Sequence, residues 1–484
     1  MTKEQMTALE PGLRGYLAGF RECFRKEVTF DYLGIYTLGL LSDCPRKSVE
    51  PIALAAEVPV RTLQEFLSSF RWDHPRAEAL LRRQAADRPG GPGIGIIDAS
   101  GHAKQGDKTP GVKRQWCGET GKIDNCVVGQ HLLYTDNDPA NPFGCIICSD
   151  VFLPEEWAHD RERCREAGIP DSMVYRSKWE IALELYDRAV ANGFVFSWLT
   201  FDEWYGSKPG FLWGLSTRNQ RFVAEVPKSF RGWLKAPRVV TRTYRRRGRG
   251  RSRRVPRLAS GSPKPRRVDD LLKDRAFEDQ PWQRWRVKDG EKGPVVWECK
   301  SAAISIKDKN GLPLGPWQLI IARNVLNPDE IKYFISNAEP GTGVGTILKV
   351  AFSRWRVERC FQDQKSELGL DQFEGRRYVG LKRHMIVTNL SYLFLAQVLA
   401  EWGKKNPDLT ICQLHTAMTE LIRAVWREDE AGISRVMEKV AQKITRKQAR
   451  MAASRKSHTK KTQARLRKLG IKLTELARCT WGPT

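Results

Sequence analysis

The sequence predicts a mixed α/β core, interrupted by a β-rich insertion and flanked by helical N- and C-terminal regions. Three observations carry that prediction. Short apolar runs bounded by turn residues, two of them ending in a carboxylate, recur between residues 93 and 226. Tryptophan-bearing, strand-like segments crowd residues 282–336. Helical periodicity dominates before residue 87 and after residue 340. A chain of 484 residues, 41% of them hydrophobic, can bury a large core and is too long for one ordinary domain. The boundaries fall at 1–90 (helical), 91–206 (first part of the core), 207–330 (the insertion), 331–402 (second part of the core) and 403–484 (basic and helical).

Residues 51–67 hold two short apolar-periodic segments separated by Val58-Pro59-Val60, and the restart at Arg61-Thr62 gives a helix-turn-helix pattern. Such a hairpin suits DNA recognition and serves equally as ordinary packing in an α-rich region. Turn-forming residues 87–93 close the segment. Gly93-Ile-Gly-Ile-Ile-Asp98 then reads as a short apolar strand ending in a carboxylate. Residues 126–134 and 145–153 are two further strands, and 177–192 an amphipathic helix capped by Ser177. Residues 194–201 form a nearly continuous apolar strand, of the kind buried between two layers, ending at Asp202. Residues 222–226 make another.

The insertion opens with an Arg-rich block at 238–267. Gly, Ser and Pro interleaved with Arg at 245–265 argue against regular structure, so this block is expected to be a mobile basic loop. Strand-like segments at 294–299 and 317–322 follow, and 331–336 returns to the sheet. Pro340-Gly-Thr-Gly-Val-Gly345 leads on toward a helix bearing Glu358; no Gly-Lys-Ser/Thr follows, so the glycines read as a flexible joint and not a phosphate loop. Residues 385–402 are the most apolar helical run, but Thr388, Asn389, Ser391 and Gln397 interrupt it. It reads as a buried core helix, with no membrane involved.

On the helix from Ser353 to Lys365, residues four and seven apart share a face, which aligns Arg354, Glu358, Gln362 and Lys365. Val357, Cys360, Phe361 and Leu368 form the adjoining apolar stripe. Taken alone, this could be an exposed helix with ion pairs. Its company changes that reading: Asp98 and Asp202 stand at strand ends, where ligands gather in mixed sheets. Hard divalent cations prefer carboxylate oxygens, and two of them held by shared acids can activate a water or 3′-hydroxyl for phosphodiester chemistry. Asp98, Asp202 and Glu358 are the candidate catalytic and metal-binding residues. Glu203, beside Asp202, points the other way on an extended chain.

The formal net charge is +26, and it is concentrated. Blocks 238–267 and 439–474 each hold thirteen Arg and Lys and no acid; without them, 56 Lys and Arg face 56 Asp and Glu. Two such blocks favour nucleic acid as partner. The candidate contacts are Arg245, Arg246, Arg247, Arg249, Arg251, Arg253, Arg254, Lys460 and Lys461, with Lys104, Arg354 and Lys365 nearer the acids. Eleven scattered cysteines and a start lacking a continuous apolar stretch point to a reducing cytoplasm. Cys145-Ile-Ile-Cys148 has metal-ligand spacing, yet Ile-Ile between the thiols reads as strand, which favours buried structural cysteines. His102 and His131 read as structural or DNA-contacting, since two-metal nucleases need no His.

Several motifs together resemble the DDE transposases of bacterial insertion sequences, the IS701 family within the wider IS4 group. They are Ile97-Asp98 to Gly106, Gly111-Val-Lys-Arg-Gln-Trp-Cys-Gly118, Gly121-Lys-Ile-Asp-Asn-Cys126, Phe152-Leu-Pro-Glu-Glu-Trp157, Ala167-Gly-Ile-Pro170, Asp202-Glu-Trp-Tyr-Gly206 and the Arg354/Glu358/Lys365 helix. The resemblance runs from about residue 20 to 400. It implies an RNase H-like core with Asp98, Asp202 and Glu358 as first, second and third acids, two Mg²⁺ ions (Mn²⁺ substituting) and a bacterial, nucleoid-associated location. It also implies a homodimer acting on double-stranded DNA, both terminal inverted repeats and target, with cleavage at element ends and joining of 3′ ends to target. A catalytically silent DNA-binding protein derived from such an enzyme is the alternative. Where the wider group carries a Tyr three residues before the Arg, this chain has Ala351. The resemblance further suggests a base-stacking aromatic in the insertion, for which Trp282, Trp285, Trp297 and Trp317 are the candidates.

Overall fold

Among the described residues, six α-helices precede the first strand: α1 (Lys3–Thr7), α2 (Leu9–Ala18), α3 (Glu27–Leu41), α4 (Val49–Ala55), α5 (Val60–Ser68) and α6 (His74–Ala86). Pro59 sets the turn of the predicted helix-turn-helix, since its extended backbone (φ −60°, ψ 126°) ends one helix and starts the next. α5 buries Leu63, Phe66 and Leu67 and keeps Arg61 outside, paired with Glu65 at 3.1 Å. In this computed structural model all residues are described except 88–91, 137, 139–142, 245–252, 427–429 and 480–484. The chain forms two units, Met1–Phe196 with Trp355–Ala453, and Ser197–Arg354 with Ser454–Thr484.

The first unit holds an antiparallel sheet of β1 (Gly93–Ala103), β2 (Lys113–Cys117), β3 (Lys122–Thr135) and β4 (Gly144–Val151). β3 is central. β1 pairs along it from Ala103 opposite Cys126 to Ile94 opposite Thr135, while β2 and β4 take its two ends on the other side. β1 runs five residues beyond Asp98, so this carboxylate stands mid-strand and not at a strand end as expected. The reason is that Ser100, Gly101 and His102, polar or small as they are, stay buried and keep pairing with β3. β2 escaped the sequence reading because Lys113-Arg-Gln-Trp-Cys117 is polar; its pairing to β3 supplies what its composition does not. Helices α7 (Glu155–His159), α8 (Arg161–Glu166) and α9 (Lys178–Ala191) follow. α9 starts at a capping box, Ser177 with Glu180, and packs on β3 and β4 through Ile181, Leu185 and Ala189.

The second unit runs β5 (Phe196–Phe201), α10 (Glu203–Gly206), α11 (Pro209–Thr217), β6 (Phe222–Val226), β7 (Arg231–Trp233), β8 (Val239–Tyr244), β9 (Arg253–Leu258), β10 (Arg266–Arg267), α12 (Val268–Leu271) and α13 (Arg275–Glu278). It continues through β11 (Gln283–Gly290), β12 (Gly293–Lys307), β13 (Pro313–Asn324), β14 (Asn327–Ser336) and α14 (Val344–Ser353). Its sheet is mixed, in the order β5-β6-β14-β13-β12-β7-β10, with β5 and β6 parallel and β11 on the first half of β12. β8 and β9 form a separate antiparallel hairpin. Residues 253–258, read from the sequence as irregular, are therefore strand. Val239, Val240, Thr241, Thr243 and Val255 favour extended pairing, a preference masked by the Gly, Ser, Pro and Arg around them. Arg245, Arg246, Arg247, Arg249 and Arg251 lie outside the described residues. The Gly-rich joint opens α14, N-capped by Gly343, and does not run straight into the Glu358 helix.

The chain then returns to the first unit with α15 (Trp355–Leu368), α16 (Tyr378–Trp402), α17 (Ile411–Trp426) and the first part of α18 (Glu430–Lys468). The end of α18 and β15 (Ala477–Arg478), parallel to β11, belong to the second unit. Among the described residues α16 is the one helix long and apolar enough to cross a membrane, and it is mostly buried. α3, α5, α6, α15, α17 and β4 pack around it, as expected of a core helix.

Candidate functional site

In the first unit, α15 turns Val357, Cys360, Phe361 and Leu368 inward, the stripe its spacing predicts, and leaves Glu358 exposed. Asp98 on β1 is half-buried, with one carboxylate oxygen accepting from the Ala99 amide at 2.7 Å. α15 packs on β1 and is tied to it by Lys365, whose ammonium donates to the Gly101 carbonyl at 2.7 Å and lies 3.8 Å from Glu119. This bond joins the helix two turns after Glu358 to the strand three residues after Asp98. Lys104 likewise donates to the Asp371 carbonyl, and burial lowers its ammonium to about 8. Two of the cations expected on phosphates are thus engaged inside this unit.

His131 is the cross-strand neighbour of Asp98. Its Nδ1 bonds Ser149 Oγ at 2.8 Å and its ring meets Phe361 of α15 at 5.1 Å. Burial, then the charge of Lys365, holds its imidazole down to about 3; burial holds His102 well below the usual range too. Burial favours the neutral form of both rings. Sequence reasoning missed Asp363, buried five residues after Glu358, whose carboxyl burial raises to about 6 despite Arg359 at 3.1 Å. The signal was present: Arg359 precedes it by one helical turn.

In the second unit, Asp202 follows β5, as expected, and N-caps α10 by accepting from the amides of Trp204 (3.0 Å) and Tyr205 (3.2 Å). The turn demands Gly206, because a Cβ there would lie 1.9 Å from the Glu225 carbonyl oxygen of β6. Glu225, also missed from sequence, is the sole acid in the apolar strand Phe222–Val226. Lys332 holds it at 2.6 Å and Arg354 stands 3.7 Å away. Burial raises the Asp202 carboxyl, only partly offset by the Tyr205 amide and Arg354, while Glu225 pushes it further up. Glu203 is exposed. The structure therefore brings Asp202 together with Arg354 and Glu225, and Asp98 onto the strand against which the Glu358 helix packs.

Among the described residues no three His, Cys, Asp or Glu side chains form a group able to hold a metal ion. The individual acids nonetheless suit a hard divalent cation: each offers carboxylate oxygens, and a cation beside Asp202 would favour the ionised form that burial disfavours. The cysteines do not suit zinc. Cys117, Cys126, Cys145 and Cys148 are all buried, and burial pushes the Cys126 and Cys148 thiols up to about 12.

Of the basic candidates that are described, Arg254 is exposed on β9, Arg253 lies on the same strand, and Lys460 and Lys461 are exposed on α18. The tryptophan candidates divide. Trp297 packs on Phe352 and Trp317 on Phe222, and both are core residues. Trp285 rests against Gly345, and Trp282 lies between Arg323 (4.2 Å) and Lys300 (5.2 Å). Among the described residues the exposed tryptophans are others: Trp116, Trp204, Trp213 and Trp355.

Residues 19–294 match the sequence model of a family described as DDE superfamily endonuclease. The chain is also similar to a probable transposase for insertion sequence element IS701 from Microchaete diplosiphon. The two are 30% identical over 215 residues, which cover 44% of this chain and 52% of the relative. The match thus spans about half the length of that relative.

Proposed function

The chain belongs to the DDE superfamily endonucleases, and from that premise we propose that it is a DNA transposase. It binds terminal inverted repeats, cleaves element ends and joins 3′ ends to target DNA, acting as a homodimer. In this reading residues 91–206 and 331–402 make an RNase H-like core, 207–330 is the insertion, and the flanking segments 1–90 and 403–484 bind DNA. Asp98, Asp202 and Glu358 are the catalytic acids, whose carboxylates would hold two Mg²⁺ or Mn²⁺ ions. Bound there, such ions supply an activated water or 3′-hydroxyl and stabilise the departing oxygen.

The remaining roles fall to the chain's own residues. Lys365 and Lys104 position α15 and the segment after it against β1. Arg354 steadies the ionised form of Asp202, and the basic blocks take phosphates. The observation that supports this most is the Lys365 bond between the elements bearing Glu358 and Asp98, in a chain of this family.

The test is a supercoiled plasmid carrying the inverted repeats that flank the coding sequence, incubated with the purified protein and Mg²⁺ or Mn²⁺. Breaks with 3′-hydroxyls at the repeat boundaries are expected. Binding without any cleavage above a chelator control would overturn the reading in favour of a silent DNA-binding derivative.

A further inference from the structure

α18 is a helix of 39 residues. At about 100° per residue its buried side chains, Met437, Val440, Ile444 and Leu466, fall on one side. In the first unit Gln448 bonds Gln413 at 3.0 Å, and in the second Thr462 bonds the Lys292 carbonyl at 2.6 Å. Six exposed cations, Lys443, Arg446, Arg450, Lys456, Lys460 and Lys461, occupy an arc of about 140° centred opposite that buried side, whereas the exposed Lys447 and Arg465 lie outside that arc. No acid lies between residues 439 and 474. Much of the basic block is therefore helical and presents six of its cations as one stripe, a geometry that its composition alone does not require.

The exposed residues between those cations are small: Ala449, Ala453, Ser457 and Ala464 share the arc. A small-residue surface lets a helix approach a phosphate backbone closely, and without an aromatic ring there is nothing on which unpaired bases could stack. That favours duplex over single-stranded nucleic acid. A basic amphipathic helix can also lie on an anionic membrane, but it then needs its apolar face, and here that face is packed into protein.

We propose that this face of α18 is a sequence-independent seat for the sugar-phosphate backbone of duplex DNA. From Lys443 to Lys461 the helix advances about 27 Å, the rise of roughly eight base pairs. The inference rests on the transposase reading only for the identity of the polyanion, and it places this seat apart from the three acids.

The test compares the full-length protein with two variants of equal charge. One is the sextuple Lys443→Gln, Arg446→Gln, Arg450→Gln, Lys456→Gln, Lys460→Gln, Lys461→Gln. The other removes six exposed cations outside the segments proposed to bind DNA, by Lys108→Gln, Lys122→Gln, Lys228→Gln, Lys273→Gln, Lys307→Gln and Lys309→Gln. Gln matches Lys and Arg in helix propensity, and circular dichroism checks that helicity survives. Binding of a random 30-base-pair duplex is followed by fluorescence anisotropy from low to high salt. The stripe variant should bind about ten- to a hundredfold more weakly, with a log–log salt slope reduced by about three to five, and the control variant should change less than about threefold.

Equal losses in both variants would show mere net charge and overturn the seat, as would no loss in either. Loss confined to terminal-repeat duplex would overturn it by showing base reading. Anionic phosphatidylserine vesicles competing as well as duplex would assign the face to lipid. A protein that shows the stripe effect yet never cleaves DNA would refute the transposase reading and leave the seat standing.

Discussion

Replacing Lys365 with Met should slow strand cleavage while leaving DNA affinity intact. The ammonium donates to the Gly101 carbonyl at 2.7 Å and is about one-fifth exposed. A charge-assisted bond in such a setting contributes about 1.5–3 kcal/mol. The Glu119 carboxylate at 3.8 Å is about one-third exposed and adds less than about 1 kcal/mol. Met keeps the apolar stem, so packing survives and what is lost is the tie between α15 and β1. A displacement of about 1 Å at reacting groups costs roughly a hundredfold in rate. Single-turnover cleavage at saturating DNA should therefore fall about ten- to a hundredfold. The dissociation constant should stay within about threefold and the salt slope unchanged, with Lys365→Arg restoring part of the rate. If instead the rate at saturation is unchanged, while affinity drops and the salt slope falls by about one, Lys365 is a phosphate contact and the positioning argument is wrong.

Two further outcomes follow from burial. Because the folded-state value of Asp363 is raised to about 6, its stabilising contribution is complete below the unfolded value near 3.9 and is lost as pH rises through 6. Asp363→Asn should thus gain stability relative to the native protein by roughly 2.4 kcal/mol between pH 4 and pH 7.5; urea melts at both pH values measure it, and a pH-independent difference would refute the shift. Trp297→Ala should cost about 3–5 kcal/mol of stability, since the ring is core against Phe352, whereas Trp282→Ala should fold normally. Thermal melts separate the two, and an undiminished melting temperature for Trp297→Ala would contradict its burial.

Much of this molecule is written in local patterns. Ser177 with Glu180 starts α9 where the capping signal places it, Pro59 divides α4 from α5, and the Val357/Cys360/Phe361/Leu368 stripe is the packed face of α15. What was not legible depends on partners distant in sequence. β1 continues through Ser100 and His102 because β3 covers them, and β2 exists by pairing alone. The β8–β9 hairpin forms within a stretch whose arginines, prolines and glycines suggested irregular chain. At the site, residue type singled out Asp98, Asp202 and Glu358. It could not reveal that Lys104 and Lys365 end on backbone carbonyls, or that Glu225 lies beside Arg354, since no local spacing encodes contacts across more than a hundred residues.

The central claim is that Asp98, Asp202 and Glu358 act together in metal-dependent DNA cleavage. The most direct measurement takes Asp98→Asn, Asp202→Asn and Glu358→Gln one at a time, with strand cleavage in Mg²⁺ and Mn²⁺ and end binding followed in parallel. Each substitution removes a carboxylate oxygen without removing bulk, so the fold and the basic surfaces remain. Cleavage should be abolished in all three while end binding stays within about threefold. Full cleavage by any one of them would remove that residue from the site and contradict the account.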